Sequence, residues 1–431
     1  MTGRSRIHMR PWRLAPVPLG LICVACAGGD IAHRWEGSVT DSAGITIVTN
    51  PNGGIWSPGE EWRIQEDLVI GVAEGNPDYM FAGISGVCVG SRGQIYVVDE
   101  MASSVRSYSP YGTLIDAFGR SGSGPGEFGA DLGPCLVGPG DTLAVPDLQN
   151  FRLTRYAGDG SFVSSTPFDP GSGIPLQWGI APDGRIAVQL RFGMLDPSEP
   201  LGQPDAIVWW RNDGSPGDTA LRVPQGATIT PSRARAPGRA FYTLLEQEPV
   251  WALTTDGSIV VASGDGYRLT YYDLTGNPVR LVSKSFDPRP VTPDDSQTLT
   301  AAVESVFPAP LVQNVMGGIH FAEFFPRYHQ LHGGPERSLW LQHVMRPTDL
   351  SREERENRYW GPEDAELFLA NPRLTLGASQ WDVFDASGRY LGVVTMPDRF
   401  EPLQFLRDAV YGVWRDEMDV QYVKRLRVIT D

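Results

Sequence analysis

The stretch Arg152-Leu153-Thr154-Arg155-Tyr156 decides the fold, because a near copy of it returns later in the chain. Gly160 follows the last residue of this stretch by four positions, and Gly276 follows the copy Arg268-Leu269-Thr270-Tyr271-Tyr272 at the same offset. The same offset joins three further pairs of an aromatic residue and a glycine: Tyr108 and Gly112, Trp210 and Gly214, and Phe384 and Gly388. One supersecondary unit is therefore repeated along the chain, which is the pattern of a repeat protein.

The clearest copy of the unit lies between residues 84 and 119. Its apolar runs predict four short strands separated by glycine turns, at residues 84–89, 95–99, 105–108 and 113–118. Four antiparallel strands of this length form one blade of a β-propeller. The 49 Gly and 36 Pro residues are spread along the chain as turn residues, which fits one large all-β domain.

The repeats predict six blades, with seven as the alternative. Further units begin near residues 135, 185, 251, 339 and 403. The last unit shows only three strands, so we predict that the N-terminal segment 44–49 pairs with it and closes the ring. Closure of this kind removes the free sheet edges that invite aggregation.

Short helical insertions are expected in the later blades. Thr292, Pro293 and Asp294 have the chemistry of a helix start, with an N-cap hydroxyl, a proline at the first position and an acid in the first turn. Two more short helices are predicted at residues 349–356 and 362–370. We expect these insertions to lie on one face of the ring.

The N-terminus has the pattern of an export signal. Arginines at positions 4, 6, 10 and 13 precede an uncharged run too short to span a membrane as a helix. The run ends in a segment that resembles a bacterial lipobox, in which Cys26 takes the place of the acylated cysteine. We predict a signal peptide at 1–25, a lipidated tether at 26–43 and the propeller at 44–431; a cleaved signal without lipid is the alternative. Ala27 after the cysteine resembles lipoproteins sent to an outer membrane, facing the periplasm or the exterior.

The charge of the chain restricts its partners. The formal net charge is −15, and removal of the four signal arginines leaves 32 basic and 51 acidic residues, a net charge of −19. Nucleic acids require clustered positive charge, so a nucleic-acid partner is excluded. Broad docking on anionic lipid is excluded for the same reason, which leaves the lipid anchor as the predicted contact with a membrane.

The sequence resembles bacterial six-bladed propellers of the NHL-repeat type. The matching phrases lie at residues 93–99, 122–128 and 381–392, and the last phrase together with residues 416–428 is similar to a subgroup of exported propeller lipoproteins. The resemblance implies a platform that binds a ligand or a protein. It also leaves open a lactonase-like or lyase-like enzyme, which is the activity of a minority of such propellers.

Cys88 and Cys135 are the two cysteines of the mature propeller, and each lies five residues before a turn glycine. They therefore occupy equivalent positions in neighbouring repeats, where we expect their Cα atoms to lie farther apart than the roughly 7 Å that a disulfide allows. Two buried free thiols are the prediction, and a disulfide, which an exported protein permits, is the alternative.

The candidate ligand-binding residues are polar groups that recur at strand ends: Asp99, Asp147, Arg152 and Arg268. A ring of carboxylates at a channel mouth could hold a ligand or Ca²⁺, whereas an Asp at a strand end also accepts backbone N–H groups and shapes a turn. The series, which Asp416 continues, breaks at Ser263. The two arginines could contact an anionic ligand or pair with an acid of a neighbouring blade.

No metal or cofactor is predicted. The spacing of His320, His329, His332 and His343 matches no compact ligand motif. The sequence Gly124-x-Gly126-x-x-Gly129 spells a dinucleotide fingerprint, but the residues after it cannot continue the helix that such a motif must open. We predict a non-catalytic, envelope-anchored binding platform whose ligand is an unidentified protein or small molecule. The alternative is a propeller enzyme with its site at the central funnel, near Asp99 and Asp147.

Overall fold

The computed structural model describes residues 35–192, 203–224, 230–231, 240–264, 266–306, 319–346, 349, 351, 376–406 and 408–430. Residues 36–431 form one compact unit. The predicted signal peptide and Cys26 lie outside the described residues. In the described part of the chain, the helix is neither long nor apolar enough to cross a membrane.

Three strands precede the first blade: β1 (Ser38–Ser42), β2 (Ile45–Asn50) and β3 (Arg63–Ile70). Blade 1 contains β4 (Ile84–Val89), β5 (Ile95–Asp99), β6 (Ser104–Tyr108) and β7 (Leu114–Phe118). Blade 2 contains β8 (Leu136–Val137), β9 (Leu143–Asp147), β10 (Arg152–Tyr156) and β11 (Phe162–Pro167). Blade 3 contains β12 (Ile174–Ile180), β13 (Ile186–Arg191), β14 (Asp205–Trp210) and β15 (Pro216–Val223).

After β16 (Thr230–Pro231) and β17 (Ala240–Leu244), blade 4 contains β18 (Val250–Leu253), β19 (Ile259–Ala262), β20 (Arg268–Tyr272) and β21 (Pro278–Lys284). The helix α1 (Pro293–Val306) and β22 (Ile319–Phe321) precede blade 5, which contains β23 (Leu331–Gly333), β24 (Leu339–Met345), β25 (Leu376–Phe384) and β26 (Tyr390–Thr395). Blade 6 begins with β27 (Phe400–Phe405), β28 (Ala409–Arg415) and β29 (Gln421–Ile429). Short 3₁₀ turns lie at Pro77–Tyr79, Pro139–Asp141, Pro170–Ser172 and Pro335–Arg337.

These strands form six blades of a β-propeller, as the sequence predicted, and helix is scarce. Each blade is a four-stranded antiparallel meander whose first strand lies innermost, because the first strands of successive blades contact one another around the ring. The ring of contacts continues from blade 5 to blade 6 through His332 and Phe405, whose rings stack at 4.7 Å.

The repeated motif, an aromatic residue followed four positions later by glycine, has the same structural role in blades 1 and 2. Tyr108 and Tyr156 end the third strand of their blades and are buried in the core. Their hydroxyls donate to backbone carbonyls of the connection that enters the blade, at 2.6 Å for Asp78 and 2.8 Å for Gly126. Burial raises the pKa of each tyrosine to about 12. The turn glycine after each strand has a φ of +82°, a conformation in which a side chain would be strained.

The prediction that residues 44–49 close the ring is wrong. The fourth strand of blade 6 is β3, which pairs antiparallel with β29. The strand β2, which contains most of the predicted segment, instead pairs parallel with β21 on the outer edge of blade 4. The sequence favoured β2 because it is the first apolar strand. By contrast, β3 is rich in charge and is stabilised across the pair by Asp67 with Arg425 and Arg427.

Residues 36–70 therefore form a belt around half of the ring. The belt begins on blade 4, follows the outer strand of blade 5 through the Ile55 and Trp56 amides, which donate to Tyr390 and Leu391, and ends as β3 in blade 6. Asn50 fixes the crossing from blade 4 to blade 5, because its buried amide donates to the carbonyls of Ser283 and Gly388, at 3.0 and 2.9 Å, and accepts from the Tyr390 amide.

The expectation of free thiols is also wrong, because Cys88 and Cys135 form a disulfide with a Cα–Cα distance of 5.6 Å. Cys88 lies on the inner strand of blade 1 and Cys135 immediately precedes the inner strand of blade 2. Adjacent blades approach most closely at these inner strands: a Cβ atom added to Gly86 would lie 2.5 Å from the Cys135 amide. Equivalent positions on neighbouring blades are thus within the range of a disulfide when they lie beside the central channel.

The helix predicted after Thr292 is confirmed as α1. The Thr292 amide donates to Asp295 Oδ2 at 3.0 Å and the Asp295 amide donates to Thr292 Oγ1 at 3.3 Å, which together form a capping box. Leu299 is buried. The helix predicted at residues 362–370 and most of the one at 349–356 lie outside the described residues.

Candidate ligand-binding site

Asp99 lies at the turn between the second and third strands of blade 1 and is fully buried. Its carboxylate accepts from the amides of Ala82 and Gly83 at 3.2 and 3.1 Å, and from the Ala102 amide at 3.2 Å. Arg106 lies 3.4 Å from Oδ2. These contacts tie the turn to the connection that enters the blade, so both carboxylate oxygens are already in use.

Asp147 has the same place and task in blade 2. It accepts from the Gly129 amide at 3.2 Å and from the Asn150 amide and side chain at 3.1 and 2.8 Å. Arg152 Nε lies 3.2 Å from Oδ2 of Asp147. The Arg152 guanidinium also donates at 2.8 and 2.6 Å to two carbonyls of the preceding connection, those of Ser123 and Glu127. The structure thus brings two of the predicted site residues together as a buried ion pair that fixes the backbone.

The other predicted members of the series are not equivalent. Arg268 begins the third strand of blade 4, as Arg152 does in blade 2, yet it is exposed whereas Arg152 is buried. Asp416 Oδ1 accepts from the amides of Met418 and Val420 at 2.9 and 3.0 Å, which are the contacts of a turn-forming Asp. A ligand-binding role for Asp99, Asp147, Arg152 and Arg268 stays a prediction.

Blade 3 contains a buried acid that the sequence analysis missed. Asp205 accepts from Gln189 at 2.7 Å and from Nε and Nη2 of Arg191 at 3.1 and 3.0 Å. Glu248 lies 3.4 Å from the same arginine. Burial lowers the pKa of Arg191, but its bonds to these two acids outweigh burial and raise it. In blade 3 the arginine ends the second strand and the acid begins the third, whereas in blade 2 the acid ends the second strand and the arginine begins the third. A search for acids that end the second strand therefore does not find Asp205.

A second missed cluster joins blade 4 to blade 5 around Asp382. This carboxylate accepts from four donors: Tyr267 Oη at 2.6 Å, Tyr390 Oη at 2.7 Å, Lys284 Nζ at 2.9 Å and His343 Nε2 at 3.0 Å. Burial alone would raise the pKa of Asp382, but the donors and the lysine charge lower it far below its usual range. Burial and the neighbouring carboxylate raise the pKa of Tyr267 well above 10.

The histidines are divided among unlike surroundings. His332 packs in an aromatic cluster with Phe405 and Trp381, and burial lowers the pKa of His332 to about 4, so it is neutral near pH 7. His343 belongs to the Asp382 cluster. Within the described ranges, no three His, Cys, Asp or Glu side chains are grouped to hold a metal ion.

A pocket of about 500 Å³ lies between blades 2 and 3. Pro139, Asp183 and Arg211 belong to its wall and lie in turns at the end of the ring opposite the Asp99 and Asp147 turns. Its volume falls within the range of small-molecule sites. Trp210 also lines it, and the indole N–H of this buried residue makes no hydrogen bond to the described residues.

Arg155, on the third strand of blade 2, is the distinctive charge of this pocket. Its side chain is half-buried and its hydrogen bond is to Thr166 Oγ1, at 3.3 Å. No carboxylate among the described residues pairs with it, and burial lowers the pKa of Arg155. The two other pocket arginines have acidic neighbours, since Arg185 lies 2.8 Å from Asp183 and Arg211 lies 3.9 Å from Asp218.

Solved structures share this fold. A member of the DUF4221 family from Bacteroides vulgatus superposes with a TM-score of 0.52 and 10% identity, over 86% of this chain and 99% of that one. A Bacteroides fragilis protein whose name describes it as exported gives 0.50 and 10%, over 89% and 99%. Virginiamycin B lyase from Staphylococcus aureus gives 0.43 and 11%, over 86% and 100%. At these identities the likeness concerns the fold alone. No protein family and no curated protein sequence matches the chain.

Proposed function

We propose that this protein is an exported, envelope-anchored propeller that binds a ligand without transforming it, and that the pocket between blades 2 and 3 is its ligand site. The observation that carries the proposal is Arg155, a half-buried cation that lines a pocket and has no acidic partner among the described residues. A charged side chain that is buried for structural reasons is usually paired with an opposite charge, because loss of its water is otherwise costly. An unpaired one in a pocket is available to a ligand.

The anchor is the second part of the proposal. Residues 1–25 supply the export signal, Cys26 carries the lipid, and the residues between Cys26 and Trp35 link the lipid to the ring. The predicted tether of 26–43 is too long, because Ser38–Ser42 form β1 and pair with β2 on blade 4. Two acyl chains would hold the protein stably, since each buried CH₂ contributes about 0.8 kcal/mol. The acidic surface keeps the ring away from anionic lipid headgroups. The proposal also includes that the propeller is of the NHL-repeat type and that the protein is located at the outer membrane.

A pocket-blocking variant tests the ligand site. Thr142 lines the pocket, and Thr142→Trp should fill it. Ser258→Trp is the matched control, because Ser258 has the same turn position in blade 4: its carbonyl accepts from the Thr254 amide as the Thr142 carbonyl accepts from the Gly138 amide. A fragment library screened by ligand-observed NMR should contain binders of the wild type and of Ser258→Trp that Thr142→Trp loses. If every binder is retained by Thr142→Trp, the pocket is not the ligand site.

One observation favours the enzyme alternative. The buried carboxylate of Asp382 accepts from His343 Nε2, and the His343 side chain is 35% exposed. A carboxylate that orients a partly exposed imidazole is an arrangement used for general base catalysis. Hydrolysis of small lactones by the purified protein, abolished in His343→Gln and retained in His332→Gln, would place catalysis ahead of binding. No turnover in the wild type would remove the alternative for that substrate class.

A further inference from the structure

We infer that the pocket between blades 2 and 3 takes a small organic anion, with an oxyanion head bound by Arg155 and an apolar body against Trp210. This inference rests on the proposed ligand site and adds the chemical class of the ligand. It concerns carboxylates and phosphate monoesters alike, because both present the oxygen pair that a guanidinium binds.

The first step concerns the head group. Arg155 has five N–H donors, and its hydrogen bond within the described part of the chain is to a neutral hydroxyl, that of Thr166. A guanidinium that has lost part of its water needs an anion more than an exposed one does, and it binds carboxylate or phosphate through two parallel hydrogen bonds. The uncompensated donors of Arg155 therefore select an oxyanion over a neutral group.

The second step concerns the charge of the whole pocket. Its wall holds three arginines and one acid, Asp183, in a chain with a net charge of −15. Arg185 is paired with Asp183 and stacks over Trp209, 4.4 Å from the ring centre. Arg211 lies 3.9 Å from an exposed Asp218, a separation at which screening by water leaves little attraction. With Asp213 and Asp218 beside Arg211, the acids around the pocket match its arginines in number, so its surroundings are near neutral in a strongly acidic chain and Arg155 is the cation that pairs with no described acid.

The third step concerns the body of the ligand. The pocket wall also includes Pro139, Ile180 and Trp210, which present apolar surface beside the arginine. Trp210 cannot easily withdraw, because it packs edge-to-face against Phe168 and Trp178 with ring centroids 5.8 and 5.7 Å away. A free inorganic ion would leave this surface unused. A flat apolar group attached to the oxyanion would cover it.

The experiment compares three probes of one shape by calorimetry on the purified mature protein: benzoate, phenyl phosphate and the neutral benzamide. Both anions should bind the wild type, and Arg155→Met should lower their affinity about tenfold to a hundredfold, as expected for loss of charge-assisted hydrogen bonds. Arg155→Lys should lower the affinity less, because lysine keeps the positive charge but lacks the two parallel N–H donors of the guanidinium. Arg63→Met, which replaces an exposed arginine on β3 of blade 6, is the control and should bind as the wild type does.

The outcomes separate the ligand class from the site. Benzamide that binds as tightly as benzoate, and is lost in Thr142→Trp, would overturn the anion while leaving the pocket as the ligand site. Anions that bind equally to wild type and Arg155→Met would overturn the role of Arg155. Absence of binding by either anion at millimolar concentration would also reject the inference. Arg155→Met should fold, because the side chain makes no ion pair among the described residues, and its thermal melt checks this directly.

Discussion

Replacement of Asp382 by Asn tests whether the junction of blades 4 and 5 depends on one buried charge. The carboxylate is 1% exposed and Lys284 is 8% exposed, so the substitution leaves a buried ammonium without its acid. The Asn side chain also offers one acceptor oxygen where the carboxylate offered two, so its NH₂ group faces some of the remaining donors. Removal of one partner of a buried ion pair costs about 3–5 kcal/mol.

The expected shift in melting temperature follows from the size of the domain. With about 2.1 cal/mol/K per residue and roughly 390 residues, the unfolding entropy is about 0.8 kcal/mol/K. A loss of about 4 kcal/mol should therefore lower the midpoint by about 5 °C, measured by calorimetry at pH 7. Lys284→Met added to Asp382→Asn should recover part of the loss, because it removes the stranded charge.

Glu66→Gln is the matched control, since Glu66 pairs at 2.8 Å with the other lysine of the mature chain, Lys424, but is 44% exposed. It should cost no more than about 1 kcal/mol. The pH dependence gives a second check. The pKa of Asp382 is lowered on folding, so its stabilising effect is present above the unfolded value near 3.9 and is lost as pH falls toward the folded value. A melt of Asp382→Asn equal to the wild type at pH 7 would refute the reasoning.

Four further expectations concern the ring and its anchor. Arg152→Met should lower the melting temperature, because it strands the buried Asp147, whereas Arg155→Met three residues away should leave it unchanged or raise it; the reverse order would refute both assignments. Deletion of residues 63–70 should prevent cooperative unfolding, since it removes the strand that closes blade 6, and a cooperative melt at the wild-type midpoint would exclude that role. Cys88→Ser should lower the free energy of unfolding by about 4 kcal/mol, the value that the loop-entropy relation gives for this disulfide. Alkylation of Cys135 in the variant would check that its thiol is free, and an unchanged melt would contradict the estimate. Cys26→Ser should move the protein from the membrane to the soluble envelope fraction, and a soluble wild type would disprove the anchor.

The architecture was predictable because each blade repeats local chemistry. Tyr156 and Gly160 mark a strand end and a turn whose requirements, a buried ring and a positive φ, act within a few residues. The identity of the closing strand was not predictable in the same way. Both β2 and β3 pair with an outer edge, in blades 4 and 6, and the ion pairs across β3 join Asp67 to Arg425 and Arg427, which lie 358 and 360 residues later in the sequence.

The candidate site shows the same limit within a single strand. Residues three apart on a strand point to opposite faces, so Arg152 and Arg155 must meet different surroundings. Arg152 turns to an acid in its own blade, Asp147, and is neutralised by it. Arg155 lines the pocket shared with blade 3, where no described carboxylate pairs with it. The repeat pattern selects Arg152, because its copy Arg268 recurs. A binding site, however, requires an arginine without an acidic partner. Whether Arg155 has one depends on which side chains of blade 3 lie beside it, and the repeat pattern of blade 2 does not contain that information.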